Sequence, residues 1–276
     1  MAAQLATSAS PVLADFCASG LASPYAPAPM AISQNPKDYE CDKVIAPVVS
    51  LGVESKYDQG DTNKDKLDAE AKAAYDAGMS NLRAYQKQLI NAANTVYKSE
   101  QKRQSAAECA TGYLLAWARE DALSDLETDT AKQNRSPLLA SFALGYLQVR
   151  DQISDAEERR EITDWLVRQA EDMTTYFDGR SKKTSARNNH RYWAGLAAAA
   201  VGTAANRCDL YKWGVDSAKV GLRQVDADGF LPLEIERGSR AREYHLYALG
   251  PLVLLAGMEA KQGRDLLAYN KWLCDG

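Results

Sequence analysis

The chain has 276 residues, 46% of them apolar and 25% charged, which is enough to build one large domain with a substantial core. The formal net charge is −4 and the isoelectric point about 5.4, so the global field does not gather polyanions. No run is apolar enough to cross a membrane. Met1-Ala2-Ala3-Gln4 lacks the basic start and long apolar stretch of a signal peptide, and reads as a mature sequence restarted for expression.

Residues 1–50 are rich in Ala, Pro and Ser. Pro24, Pro27, Pro29 and Pro36 predict an irregular, wrapping segment, with one short helix near Pro11 to Ser19. Val44 to Leu51 is apolar and is expected to begin the first core-facing helix. Residues 54–66 are polar and read as a flexible loop. From Leu67 onward the spacing of apolar residues predicts helix almost throughout: 67–98, 104–124 and 137–152. Ser154-x-x-Glu157 reads as a capping box opening the next helix, which Gly179 ends. Further helices are expected at Asn188, from Asp209 to Val225, and from about Arg240 to Lys261. Alternating strand patterns are nearly absent. The pattern therefore predicts an all-α, layered fold of antiparallel helical hairpins.

Asn188-Asn189-His190-Arg191-Tyr192-Trp193 holds one of only two histidines and runs into a small-residue helix. It follows a basic run, Arg180, Lys182, Lys183 and Arg187, that contains no acid. Two asparagines before such a helix are good cap residues, which would set Asn189 and His190 at its positive end. A bound anion beside an imidazole is one reading; a capped core helix with a hydrogen-bonded histidine is the other. A second stretch, Glu234 to Leu249, carries Arg237-Gly238-x-Arg240-Ala241-x-x-Tyr244-His245, and Gly238 suggests that Arg237 lies on a loop.

Taken with Glu54-Ser55-Lys56-Tyr57, these segments resemble the bacterial alginate lyases of polysaccharide lyase family 5. The resemblance implies a single catalytic domain over 1–276, an incomplete or complete (α/α) toroid, with 54–66 as a lid loop over the bound polymer. Members of the family extend further beyond the arginine-glycine segment than Gly276, so ring closure is an open expectation. It implies β-elimination at β-D-mannuronate of alginate: the C5 proton is removed, the C4–O bond breaks, and an unsaturated uronate forms. The catalytic set carried over is Asn189, His190, Arg237 and Tyr244. Donors aimed at the sugar carboxylate stabilise developing charge, for which Asn189, Arg237 and His190 are suitable types. Tyr244 is expected as base and acid in a syn elimination, its phenolate favoured by neighbouring cations. His190 as base with Tyr244 as acid is the alternative. Lys56, Tyr57, Arg191, Tyr192, Trp193, Arg240 and His245 are expected to touch substrate, although core roles for Trp193 and His245 stay open.

The implied partner is an anionic polysaccharide (alginate or polymannuronate) met by a monomer, with no cofactor, metal, nucleic acid or membrane. The resemblance also implies a periplasmic or secreted enzyme, where disulfides persist. Of the five cysteines, Cys41 is expected to pair with Cys109 and Cys208 with Cys274, leaving Cys17 free; five buried thiols is the alternative. Competing functions are a lyase of broader uronate taste (glucuronan, hyaluronan), a catalytically idle polyanion binder, and a glycoside hydrolase. The last needs two opposed carboxylates, for which Glu234, Glu236 and Glu243 are the candidates.

Overall fold

A computed structural model describes residue 17, residues 20–28 and residues 33–269. Nine helices and one short strand pair run through these residues in the order β1 (Ser50–Leu51), α1 (Ala69–Gly78), α2 (Ser80–Lys98), α3 (Arg103–Arg119), β2 (Asp125–Leu126), α4 (Asp129–Val149), α5 (Ala156–Asp178), α6 (Asn189–Ala205), α7 (Cys208–Leu222), α8 (Pro232–Ile235) and α9 (Ala241–Lys261). Single 3₁₀ turns cover Arg150–Gln152, Thr184–Ala186 and Gly238–Arg240.

The helices form two layers. α2, α4, α6 and α9 pack side by side in sequence order, and α3, α5 and α7 return along their outer side. This inner and outer succession of antiparallel hairpins is the layered all-α fold that periodicity predicts. Its core joins both layers. Tyr85 stacks on Trp117 at 3.6 Å, Phe142 meets Tyr85 edge-on at 5.1 Å, and Trp165 lies 6.2 Å from Phe142. These rings come from four successive helices, α2 to α5. The indole N–H groups do not waste hydrogen bonds in that interior: Trp117 donates to the Ile45 carbonyl and Trp165 to that of Ala122, both at 2.9 Å.

α6 and α7 approach closely because glycines face each other. A Cβ on Gly195 would lie 2.8 Å from the Gly214 carbonyl, and one on Gly214 would lie 2.4 Å from that of Gly195. The run of small residues after Trp193 is therefore a packing surface, buried on all sides: Ala194 and Leu196 through Val201 are fully inaccessible.

Several boundaries differ from the sequence reading. The 67–98 helix is two helices, interrupted at Met79. α4 begins eight residues before Pro137, where the spacing of apolar residues places the start of the 137–152 helix. The start is instead set by Thr128, whose hydroxyl accepts from the Ala131 N–H at 3.0 Å. The cap of α5 is Asp155, whose carboxylate accepts from Glu157 N at 2.7 Å; Ser154 is not the capping residue. Val44 to Leu51 is extended rather than helical and ends in β1, which pairs in parallel with β2. The short helix expected near Pro11 to Ser19 falls almost wholly outside the described residues.

Cys41 is bonded to Cys109, as expected. Cys17 is not free: it is bonded to Cys208, tying the N-terminal segment to the start of α7 across 191 residues of sequence. Cys274, the expected partner of Cys208, lies outside the described residues. Among the described residues no helix is long and apolar enough to cross a membrane.

Candidate active site

The polar loop between β1 and α1 folds back over the inner-layer helix ends. Its shape comes from Asp61, whose carboxylate accepts the N–H groups of Asn63, Asp65 and Lys66 at 2.7–3.1 Å. Those backbone donors, Lys66 foremost, hold the Asp61 carboxyl below its ordinary range. Asp65 then fastens the loop to the segment before α9, accepting from both the N–H and the hydroxyl of Ser239 at 3.1 Å. Gly238 permits this approach. Its φ is +56°, and a Cβ there would sit 2.6 Å from the Asp65 carboxylate. Removing one such pair of exposed hydrogen bonds costs about 1 kcal/mol. Asp65→Ala is therefore expected to raise KM for a polymeric substrate about fivefold with kcat less affected, read from steady-state rates.

Loop and helices enclose a cavity of about 660 Å³, within the usual range for a ligand site. Its wall brings together Lys56 and Tyr57 from the loop, Asn189 and His190 from the first turn of α6, Arg237 from the turn after α8, and Tyr244 from the first turn of α9. All four residues expected to be catalytic thus line one space. The Arg237 guanidinium lies 4.4 Å from the Tyr244 ring centre, and that of Arg240 lies 5.5 Å from it. The Tyr57 and Tyr244 hydroxyls are in direct hydrogen-bond contact, and Arg240 donates to the Tyr57 oxygen at 2.6 Å. Burial and the shared bond with Tyr244 push the Tyr57 phenol well above its ordinary pKa. Tyr57 therefore stays protonated and can donate to the Tyr244 oxygen.

His190 is neutral. Burial first, and the Arg237 charge second, lower its pKa from 6.5 to about 4. An unfolded chain would bind a proton at His190 below pH 6.5 that the native chain refuses until about pH 4. Stability contributed by this group is complete above pH 6.5 and is lost as the pH falls through that window. Thermal melts should show it: His190→Gln is expected to lose less Tm than the parent between pH 6.5 and pH 4.5.

The helix terminus differs from expectation. Asn188 caps α6, its side chain accepting from His190 N at 3.2 Å. The first free N–H, that of Asn189, is not left for a ligand: the Glu234 carboxylate takes it at 2.6 Å and takes Asn189 Nδ2 at 2.8 Å. Glu234 is wholly buried, and burial raises its pKa. The anion at this helix end is the protein's own.

Five expected substrate contacts, Arg191, Tyr192, Trp193, Arg240 and His245, lie outside this cavity wall. Arg191 donates to Ser217 at 2.7 Å and Asp178 at 3.1 Å and stacks over Trp213 at 3.9 Å, bracing α6 against α7. Tyr192 is core, 1% exposed, its hydroxyl donating to the Arg187 carbonyl. His245 accepts from Leu231 N and meets Phe230 edge-on at 5.7 Å. Trp193 lines an adjoining cavity of about 460 Å³ with Tyr75, Arg83, Asn134 and Tyr247. Its indole N–H is buried and unpartnered among the described residues. Arg240 acts from behind Tyr57, paired with Glu243. Tyr75, Gln133, Asn134 and Tyr247 line the main cavity and were missed; Tyr75 and Tyr247 read as ordinary core positions. Among the described residues no group of three or more His, Cys, Asp or Glu could hold a metal ion.

The family model for alginate lyase matches residues 143–272, which include the Asn188–Trp193 and Glu234–Tyr244 segments. Residues 143–272 are thus similar to the alginate lyase family. The alginate lyase of Cobetia marina is 33% identical over 239 residues, covering 83% of this chain and 62% of its own length. That of Pseudomonas aeruginosa PAO1 is 32% identical over 237 residues, 83% of this chain and 64% of its own. The chain thus spans under two thirds of the length of these curated relatives. In three dimensions it is similar to alginate lyase A1-III from Sphingomonas species A1: TM-score 0.72, 24% identity, 85% of this chain and 65% of that one. A complex of that enzyme with a tetrasaccharide aligns with a TM-score of 0.73 at 23% identity. The structural likeness gives the chain a toroid-like helical fold.

Proposed function

We propose that this chain cleaves alginate at β-D-mannuronate by β-elimination. The single observation that carries the reading is the convergence of Tyr244, His190, Asn189 and Arg237 on one cavity beneath a fastened loop. The C5 hydrogen of a uronate is barely acidic, because the neighbouring carboxylate is already charged. Arg237 and the Asn189 amide meet that carboxylate and stabilise the charge that develops on it.

Tyr244 takes the C5 proton and returns a proton to O4 as the C4–O bond breaks, since both bonds lie on one face of mannuronate. Two guanidiniums lie over its ring and the Tyr57 hydroxyl meets its oxygen. His190, with a pKa of about 4, is too weak a base for a carbon acid and is not a standing cation. A bound carboxylate would raise its pKa, so it takes up charge with the substrate rather than before it.

The partner is then an anionic polysaccharide, for which the tetrasaccharide complex of the A1-III enzyme is a precedent at the level of the fold. Periplasmic location or secretion fits that polymer and the two disulfides. The glycoside hydrolase reading loses Glu234, which is buried, engaged with Asn189 and outside the cavity lining. The experiment is a substrate panel: polymannuronate, polyguluronate, glucuronan and hyaluronan, followed by the ultraviolet absorbance of the new C=C bond. Polymannuronate is expected to give the fastest rise. Equal rates on all four would establish a broad uronate lyase, and no absorbance on any would leave a binder.

A further inference from the structure

We propose that Glu234 is the positioning residue of Asn189: it fixes which end of the Asn189 amide faces the ligand. The inference rests on the lyase reading above and adds a residue to it.

Both contacts from Asn189 to Glu234 run from a nitrogen to a carboxylate oxygen, one to each oxygen. An ionised carboxylate only accepts. Its two oxygens are therefore matched by two donors from one residue, a bidentate clamp on the backbone N–H and the side-chain Nδ2. Reversing the amide would point Oδ1 at a carboxylate oxygen, acceptor against acceptor. The clamp thus holds Nδ2 inward and leaves the second Nδ2 hydrogen and Oδ1 for other partners.

Oδ1 has none: it is buried and unpartnered among the described residues, in a residue that lines the cavity. An acceptor left so is costly, and an unclamped amide would rotate to relieve it. A uronate ring supplies the complement, a carboxylate for the remaining N–H and a hydroxyl for Oδ1. The Glu234 charge is tolerated because the α6 N-terminus meets it and Arg237 opposes it. Glu234 comes from α8, where Pro232 begins a single turn. That turn delivers both the clamp and Arg237, so the two groups that meet the sugar carboxylate share one anchor.

The test is a double-mutant cycle on the full chain with polymannuronate: parent, Glu234→Gln, Asn189→Ala and the pair. Glutamine keeps the shape but offers a donor to Asn189, so the amide can turn. Glu234→Gln is expected to lower kcat about 10–100-fold with KM within about threefold. In the Asn189→Ala background the same change should cost less than about threefold, because its effect passes through Asn189. Losses that multiply, or a Glu234→Gln variant within about threefold of the parent in kcat, would overturn the proposal while the parent's activity upholds the lyase reading. A parent that makes no unsaturated product sinks both. If Glu234→Gln lacks a cooperative melt, Glu234→Asp, which keeps the charge and loses reach, replaces it under the same criteria.

Discussion

Tyr244→Phe is expected to abolish the ultraviolet-absorbing product while leaving substrate binding intact. The change removes one oxygen and keeps the ring over which Arg237 sits at 4.4 Å. If the phenol is both base and acid, its loss removes both proton transfers, each worth about 10²–10⁴-fold. kcat should fall at least about 10³-fold, and the dissociation constant for a mannuronate oligomer, read by calorimetry, should move less than about threefold. Tyr57→Phe is the comparison within the same hydrogen-bonded pair. It removes a donor to Tyr244 and the acceptor of Arg240 but neither proton transfer, and so is expected to cost about 10-fold in kcat. A Tyr57 variant as inactive as the Tyr244 variant would exchange their assigned roles.

Arg237→Gln should be almost as damaging, for a different reason. Arg237 faces three groups: the Tyr244 ring, His190, whose pKa it lowers, and Glu234, whose carboxylate it opposes. Its removal takes away a cation meeting the substrate carboxylate, a loss of about 10²–10³-fold in kcat/KM by comparison with other charge-stabilising donors. It also lifts one of the two causes that hold His190 near pKa 4. The His190 titration should therefore move up toward 6.5, with burial keeping it below that value. The chain has two histidines, so proton NMR of the imidazole signals against pH reads the shift directly. An unmoved titration with a lost rate would place Arg237 at the substrate but not at His190.

The two layers could be read from the chain because apolar residues at helical spacing bury one face each, and the aromatic core from Tyr85 to Trp165 follows that spacing. The four residues proposed as catalytic could be expected in one cavity because each sits in a short motif. Which of their neighbours line that cavity could not be read, because adjacency in a helix is not adjacency in space. Successive residues turn about 100° around the axis. His190 faces the cavity, Arg191 faces α7, Tyr192 enters the core, and Trp193 comes back toward the neighbouring cavity. Tyr244, His245 and Tyr247 obey the same rule: the first and last line the cavity and His245 turns to Leu231. Tyr75 and Asn134, joined by a hydrogen bond of 2.6 Å, reach the site from α1 and α4 and carried no motif. Glu234 was visible only as one of three carboxylates weighed for hydrolysis. Its burial and its hold on Asn189 need the fold.

The disulfides show the same limit from another side. Cys41 with Cys109 joins the extended segment before β1 to α3, the outer neighbour of α2. Cys17 with Cys208 depends on where an irregular N-terminal segment is laid down, and no periodicity encodes that path.

The central claim is that a C–H bond, not a water molecule, supplies the proton when the chain is cut. Mass spectrometry of polymannuronate fragments made by the parent protein tests it most directly. Fragments bearing an unsaturated end, each lighter by one water than the corresponding saturated oligomer, are the result this account predicts. Saturated fragments alone, with no unsaturated ends among them, would contradict it.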